Sequence, residues 1–171
     1  MPLRAVTRRE IELPAAEYID RFRTPDAFAD ACRACPAYGR TWACHPFDFD
    51  IEARLRRFHT VRIIACTFPL PPGAEADFDS IAPVREKLNA DILAIESELG
   101  GLACAFGGSC RICPRCTRPD AHPCRHPDRM RPSLEAYGFD ITRTLDDLLG
   151  ITLRWGPRLK EITLVGAVFY G

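Results

Sequence analysis

The sequence predicts an α/β protein of the α+β kind, with a single small sheet, flanking helices and two cysteine-rich metal-binding loops. Some short segments alternate or concentrate apolar residues as strands do, and others repeat them at three- and four-residue steps as helices do. The two patterns follow one another without an internal repeat or a linker-like stretch. We therefore expect residues 1–171 to form one metal-binding domain, since domains commonly have about 100–200 residues.

The first elements expected are a strand, two helices and a loop. Rough alternation predicts a strand over Leu3–Leu13, and Pro14 suits the start of a helix at Ala15–Phe22. Thr24 is the type of residue that caps a second helix, which runs into the first cysteines. Proline and glycine then predict a loop over residues 32–50.

The middle of the chain holds the clearest periodicities. Ile51–Phe58 has a short helical period, and His59–Leu70 is an apolar run typical of a buried strand. Ile81–Leu99 is the longest helix pattern in the chain. Leu102–Phe106 follows it as a short strand that leads directly into cysteines.

The last part of the chain predicts two helices and two strands. Arg131–Glu135 has the composition of a helix start, and Ile141–Leu149 is a short helix closed by Gly150. Ile151–Leu153 and Ile162–Tyr170 are apolar enough to be strands.

Composition indicates a folded protein with thiol chemistry. Residues are 47% hydrophobic and 27% charged, and 23 basic side chains balance 23 acidic ones, so nothing points to nucleic acid or a membrane surface. A secretory signal and a membrane span of roughly 18 apolar residues are both missing, so we expect a cytoplasmic protein. Nine cysteines in a reducing compartment then indicate metal or redox chemistry rather than disulfides.

The second cysteine cluster has the spacing C-x2-C-x2-C-x7-C, formed by Cys110, Cys113, Cys116 and Cys124. Three thiolates at two-residue steps wrap three corners of an iron–sulfur cubane, and a later cysteine supplies the fourth. A zinc site usually takes two separate cysteine pairs, and three consecutive cysteines at two-residue steps fit that pattern poorly. Zinc is therefore the alternative metal and not the first choice. We expect a [4Fe–4S] cluster held by these four cysteines.

The residues around this cluster suit an anionic group. Gly107 and Gly108 can let backbone N–H groups approach sulfur, and His122 and His126 flank Cys124 as possible hydrogen-bond donors. Nearby cations stabilise an anionic cluster. The arginines close in sequence are Arg111, Arg115, Arg118, Arg125, Arg129 and Arg131.

The first cysteine cluster is incomplete. Cys32, Cys35 and Cys44 give C-x2-C-x8-C, which allows a second cluster with one other ligand, a zinc site completed by His45, or a three-cysteine cluster with an open iron. Tyr38 and Trp42 are expected to shield the site from water. Cys66 and Cys104 lie in strand patterns, which favours core packing, but either could be the missing ligand, as could an external group.

Both clusters resemble one known family. The motifs are Cys32-x2-Cys35-Pro36-x-Tyr38-Gly39-x2-Trp42-x-Cys44-x-Pro46, Gly108-Ser109-Cys110-x2-Cys113-x2-Cys116, Pro123-Cys124-Arg125-x-Pro127 and Arg131-Pro132-Ser133-x-Glu135-Ala136-x-Gly138. In these motifs the chain is similar to an uncharacterised cysteine-rich family described as predicted metal-binding proteins. The resemblance implies metal binding with no settled reaction. Relatives often have Cys-Pro-Pro where this chain has Cys44-His45-Pro46, which leaves open a role for His45 as a ligand.

The expected function is electron transfer to a partner enzyme, because the chain combines the cysteine run with no G-x-G-x-x-G or P-loop motif. The alternatives are a zinc-stabilised interaction domain and an enzyme or ligand sensor with an open-site cluster. The sequence specifies no catalytic residue, no particular redox partner and no oligomeric state.

Overall fold

The computed structural model describes residues 6–70, 78–154, 156 and 159–171. Within these residues, one open antiparallel sheet has four strands: β1 (Thr7–Pro14), β2 (Thr60–Pro69), β3 (Leu102–Cys104) and β4 (Glu161–Tyr170). The order across the sheet is β1-β2-β4-β3, so the two long strands lie in the middle. This architecture confirms the predicted α+β class.

Helices cover both faces of the sheet. In the described part of the chain they are α1 (Ala15–Phe22), α2 (Pro25–Ala34), α3 (Ile51–Leu55), α4 (Phe78–Leu99) and α5 (Ile141–Leu149). Among the described helices, α4 packs on one face of the sheet, whereas α1, α3 and α5 pack on the other. No described helix has the length and apolar character that crossing a membrane requires.

Strand alternation separates two apolar cores. Successive side chains of a strand point to opposite faces, so Ile63 packs with the α1 side and Ile64 packs under α4. Gly166 of β4 lies under α4, where a Cβ would come within 2.7 Å of Ile92 Cδ1 and 3.0 Å of Phe106 Cε2. The absence of a side chain at this position lets α4 approach the sheet closely.

Two predicted elements near the C-terminus are wrong. The segment from Arg131 forms a single turn, in which the Tyr137 N–H donates to the Ser133 carbonyl oxygen at 3.2 Å, and it goes no further. Gly138 ends the turn with a φ of +83°, and a Cβ there would lie 2.9 Å from the Cα of Pro25. Ile151–Leu153 is irregular because the Ile151 N–H closes the end of α5 on the Leu145 carbonyl instead of pairing with a strand.

Several strand and helix bounds also shift. Strand β1 begins at Thr7, and residues 3–5 of the predicted strand lie outside the described residues. Strand β3 ends at Cys104, because the Ala105 N–H turns to the Pro132 carbonyl oxygen at 2.9 Å. Helix α2 continues through Cys32 to Ala34, so the first cysteine lies on a helix rather than a loop.

Candidate metal centre

The second cysteine cluster lines one cavity. Its four cysteines are half-buried, and all four contribute to the wall of a cavity of about 720 Å³. The first cysteine loop adds Arg40, Thr41 and Trp42 to the same wall. These four thiols are Cys110, Cys113, Cys116 and Cys124.

The segment that carries these cysteines starts and ends at the same place. Where this segment leaves β3, the Ala105 N–H donates to the carbonyl oxygen of Pro132, which lies just beyond the other end of the segment. The carboxylate of Glu96, on α4, accepts hydrogen bonds from the Ala103 N–H at 2.6 Å and from Arg131 at 2.5 and 2.7 Å. Helix α4 therefore holds both ends of the loop.

A buried arginine on α4 holds the entrance of the loop. Arg85 Nε donates to the carbonyl oxygens of Phe106 at 2.8 Å and Gly107 at 2.6 Å, and its Nη2 donates to that of Ser109 at 2.7 Å. Gly107 and Gly108 have φ values of +39° and +71°, a conformation that glycine adopts at little cost. The glycines thus let the chain turn around the guanidinium immediately before Cys110.

Backbone N–H groups point at two of the sulfurs. The His126 N–H donates to Cys124 Sγ at 3.4 Å, and the Ile112 N–H bonds to the Cys110 sulfur. Such bonds stabilise a thiolate over a thiol and tune the potential of iron–sulfur clusters. Sequence reasoning expected Gly107 and Gly108 to bring N–H groups to sulfur, whereas the bonds found here come from Ile112 and His126.

Without a metal the thiols oppose one another's ionisation. Burial raises the pKa of the Cys110 thiol, and negative charge on the other three cysteines raises it further, against the Ile112 N–H, which lowers it. A bound metal supplies the positive charge that reverses this balance, since thiolates are the form that ligates.

The first cysteine cluster spans the end of α2 and the turns that follow it. Cys32 lies in the last turn of α2, Cys35 follows that helix, and Cys44 lies in the turn beyond. Burial raises the pKa of the Cys32 thiol, and the proximity of Cys35 and Cys44 raises it further. Burial likewise raises the pKa of Cys44.

The two cysteine loops are bonded to each other. Trp42 Nε1 donates to the His122 carbonyl oxygen at 3.1 Å and to Thr117 Oγ1 at 3.3 Å. Arg118 packs its guanidinium 5.3 Å from the Trp42 ring centre and donates to the carbonyl oxygens of the first loop. Those acceptors are Thr41 at 2.7 Å, Cys44 at 2.5 Å, and Pro46.

Sequence reasoning missed these links. It expected Trp42 as a shield and Arg118 as one of several cations near an anionic cluster. Trp42, the expected shield of the first cluster, lines the cavity of the second, and its N–H donates to the second loop. The sequence shows an arginine in a proline- and cysteine-rich segment, and this pattern does not specify which residue the arginine contacts.

The candidates for the fourth ligand of the first cluster are Cys66, Cys104 and His45. Cys66 packs in the core under α4 and Cys104 in the core on the opposite face, and burial raises the pKa of both thiols. The ring of His45 packs edge-on against Phe47, with 4.7 Å between ring centres.

The four thiols of the second cluster suit a thiolate-bound group, although they do not form a complete ligand sphere around a single ion. Among the described residues, no three His, Cys, Asp or Glu side chains converge as a single ion requires. The site is therefore defined by the cavity that its thiols share and by the N–H groups directed at Cys110 and Cys124.

Fold and site together define a small α+β protein with a cysteine-lined cavity beside its sheet. The family described as "Predicted metal-binding protein (DUF2284)" matches residues 19–170, and the chain belongs to this family. This membership confirms the resemblance drawn from the cysteine motifs and supports metal binding without specifying the metal. No curated protein and no solved structure matches the chain.

Proposed function

We propose that Cys110, Cys113, Cys116 and Cys124 hold a [4Fe–4S] cluster and that the protein passes electrons to a partner protein. The observation that carries this proposal is that four thiols, spaced C-x2-C-x2-C-x7-C, line one cavity of about 720 Å³. A cavity shared by four thiols suits a ligand of several atoms, in which each thiolate takes its own iron.

When bound, such a cluster supplies one-electron chemistry. The chain's own contribution is to fix the four thiolates, to donate N–H groups to Cys110 and Cys124, and to restrict water with Trp42. Arg111, Arg115 and Arg125 are exposed residues of the cavity wall, and they suit an acidic protein partner at its mouth.

The test is purification without oxygen, followed by iron and sulfide analysis and EPR spectroscopy. We expect about four iron and four sulfide atoms per chain at this site and an EPR signal on reduction. Stoichiometric zinc with no iron in oxygen-free material would contradict the proposal and favour a zinc-stabilised interaction domain. The Cys66→Ala variant, altered in the core, is the control and should keep its iron.

A second candidate function concerns the first cysteine loop. Cys32, Cys35 and Cys44 are close enough for each of the last two to raise the pKa of the first. Three thiolates without a fourth protein ligand suit a cluster with an open iron, which would make the protein an enzyme or a ligand sensor. Iron in excess of that bound at the second loop, with an EPR signal that changes when cyanide is added, would support this function. A signal unchanged by cyanide would contradict it.

A further inference from the structure

Arg85 is a cation in the interior of the protein. It lies in α4 between the apolar residues Val84 and Leu88, and only 7% of it is exposed. Its guanidinium donates to three backbone carbonyls, and none of the ion pairs among the described residues involves it. Most arginines buried to this degree have a carboxylate partner.

Such a burial is costly unless a negative charge lies nearby. The penalty for burying an ion amounts to several kcal/mol, of which carbonyl dipoles offset only part. Burial lowers the pKa of the Arg85 guanidinium, and negative charge on Cys110 is the largest influence in the opposite direction, with Arg111 opposing it and Glu135 assisting.

Two other arginines near the second loop are compensated in ordinary ways. Arg131 pairs with the Glu96 carboxylate at 2.5 Å. Arg115 pairs with Asp120, and 75% of its side chain is exposed, so that water and salt screen its charge. Arg85 combines burial, contact with the carbonyls that precede Cys110, and a place with Cys110 in the wall of one cavity.

We infer that Arg85 is the internal counter-cation of the metal centre at Cys110, where it positions residues 106–109 and raises the reduction potential of the bound cluster. This inference rests on the proposed function. A cluster with four thiolates is anionic and gains a further negative charge on reduction, so a fixed, unscreened cation favours the reduced form. In the titration, one electron from the added reductant converts the oxidised cluster to the reduced one.

The experiment is a redox titration with dithionite, monitored by EPR, on the oxygen-free protein and three variants. Arg85→Lys keeps the charge but not the planar fork of donors, whereas Arg85→Met removes the charge and keeps the apolar stem. Lys87→Met removes a cation from the same helix, but 63% of the Lys87 side chain is exposed and it pairs with Asp91 at 3.3 Å. It is therefore the matched control.

We expect Arg85→Met to lower the ratio of reduced to oxidised cluster at a given potential about tenfold, a downward shift of about 59 mV for one electron. Arg85→Lys and Lys87→Met should leave the potential close to that of the unaltered protein. Equal potentials in all four proteins would overturn the inference, as would a shift in Arg85→Lys as large as that in Arg85→Met.

Loss of the cluster is also informative. Iron retained in Arg85→Lys and lost in Arg85→Met would support the counter-cation, because lysine keeps a charged donor at this position and methionine does not. Iron lost from both variants would overturn it in favour of a purely geometric role for the guanidinium. If the unaltered protein itself holds no iron, the proposed function fails, and that failure is visible before any variant is compared.

Discussion

Arg118 donates a hydrogen bond of 2.5 Å to the carbonyl oxygen of Cys44, which lies 74 positions earlier in the chain. The same guanidinium bonds to Thr41 and Pro46, so one side chain from the second cysteine loop organises the turn that carries the last cysteine of the first. The two loops therefore form one structural unit, and changes in either should be felt in the other.

Removing this link should weaken the first loop. In Arg118→Met we expect the free energy of unfolding to fall by about 2–3 kcal/mol, because half-buried carbonyls lose a charged donor. Metal bound at Cys32, Cys35 and Cys44 should be lost more readily than metal at the second loop. Denaturant unfolding and metal analysis measure both effects.

Arg115→Met is the control for that experiment. Arg115 is an exposed cation of the same loop that pairs with Asp120, so its loss should change stability by no more than about 0.5 kcal/mol. Equal losses of stability in the two variants would contradict the bridging role of Arg118.

Cys113→Ser should abolish metal at the second loop and lower the melting temperature. Cys113 lies in the middle of the three closely spaced thiols, and structural metal sites contribute on the order of 10 kcal/mol of apparent binding free energy. Metal per chain and thermal unfolding are the measurements. The core variant Cys66→Ala should lose about 1 kcal/mol of stability and keep its metal. Unchanged metal content and melting temperature in Cys113→Ser would contradict the assignment.

The ion pair of Glu96 with Arg131 should make the free energy of unfolding fall as the pH is lowered into the acid range. Burial alone would raise the pKa of Glu96, but hydrogen bonds from Arg131 and the Ala103 N–H prevail and lower it below its ordinary value. A lowered pKa in the folded state contributes stability that is present above about pH 4.5 and is lost as the pH falls through the folded-state pKa. Glu96→Gln should cost about 2–3 kcal/mol at pH 7 and show a shallower loss in acid.

Unfolding by urea between about pH 7 and 3 measures this dependence. Glu98→Gln on the same helix is the matched control, since Glu98 is exposed. If both variants keep the acid dependence of the unaltered protein, Glu96 does not contribute to it.

The buried thiol of Cys104 should make the free energy of unfolding fall at alkaline pH. Burial raises the pKa of this thiol, with Glu135 and Glu96 adding to the effect, whereas an unfolded chain ionises cysteine near pH 8.5. Above that pH the unfolded state binds fewer protons than the folded state, so stability declines by about 1.4 kcal/mol per pH unit for this group.

Cys104→Ala should remove that part of the slope while costing about 1–2 kcal/mol at neutral pH. Val165→Ala truncates a neutral side chain in the same core and should lower stability without changing the slope. Parallel curves for Cys104→Ala and the unaltered protein between about pH 7 and 10 would show that the thiol titrates alike in both states.

Much of the fold could be predicted because it depends on neighbours in sequence. Helix α1 begins directly after Pro14, α4 contains the three- and four-residue apolar repeat, and α5 ends at Gly150, which has a φ of +61°. All three depend on local preferences. The turn after Arg131 could not be predicted, since it stops where Gly138 packs against Pro25, more than a hundred residues earlier. Local propensity does not contain that contact.

The sequence by itself identified the candidate donors, because the short spacing of Cys110, Cys113 and Cys116 is typical of thiolates that ligate an iron–sulfur cluster. Only the tertiary structure decided what surrounds them. Arg85 reaches the loop from α4, and Arg118 joins the two loops, through hydrogen bonds between residues 21 to 77 positions apart. Such contacts depend on how the helices pack on the sheet, which is a property of the whole chain and not of any local pattern.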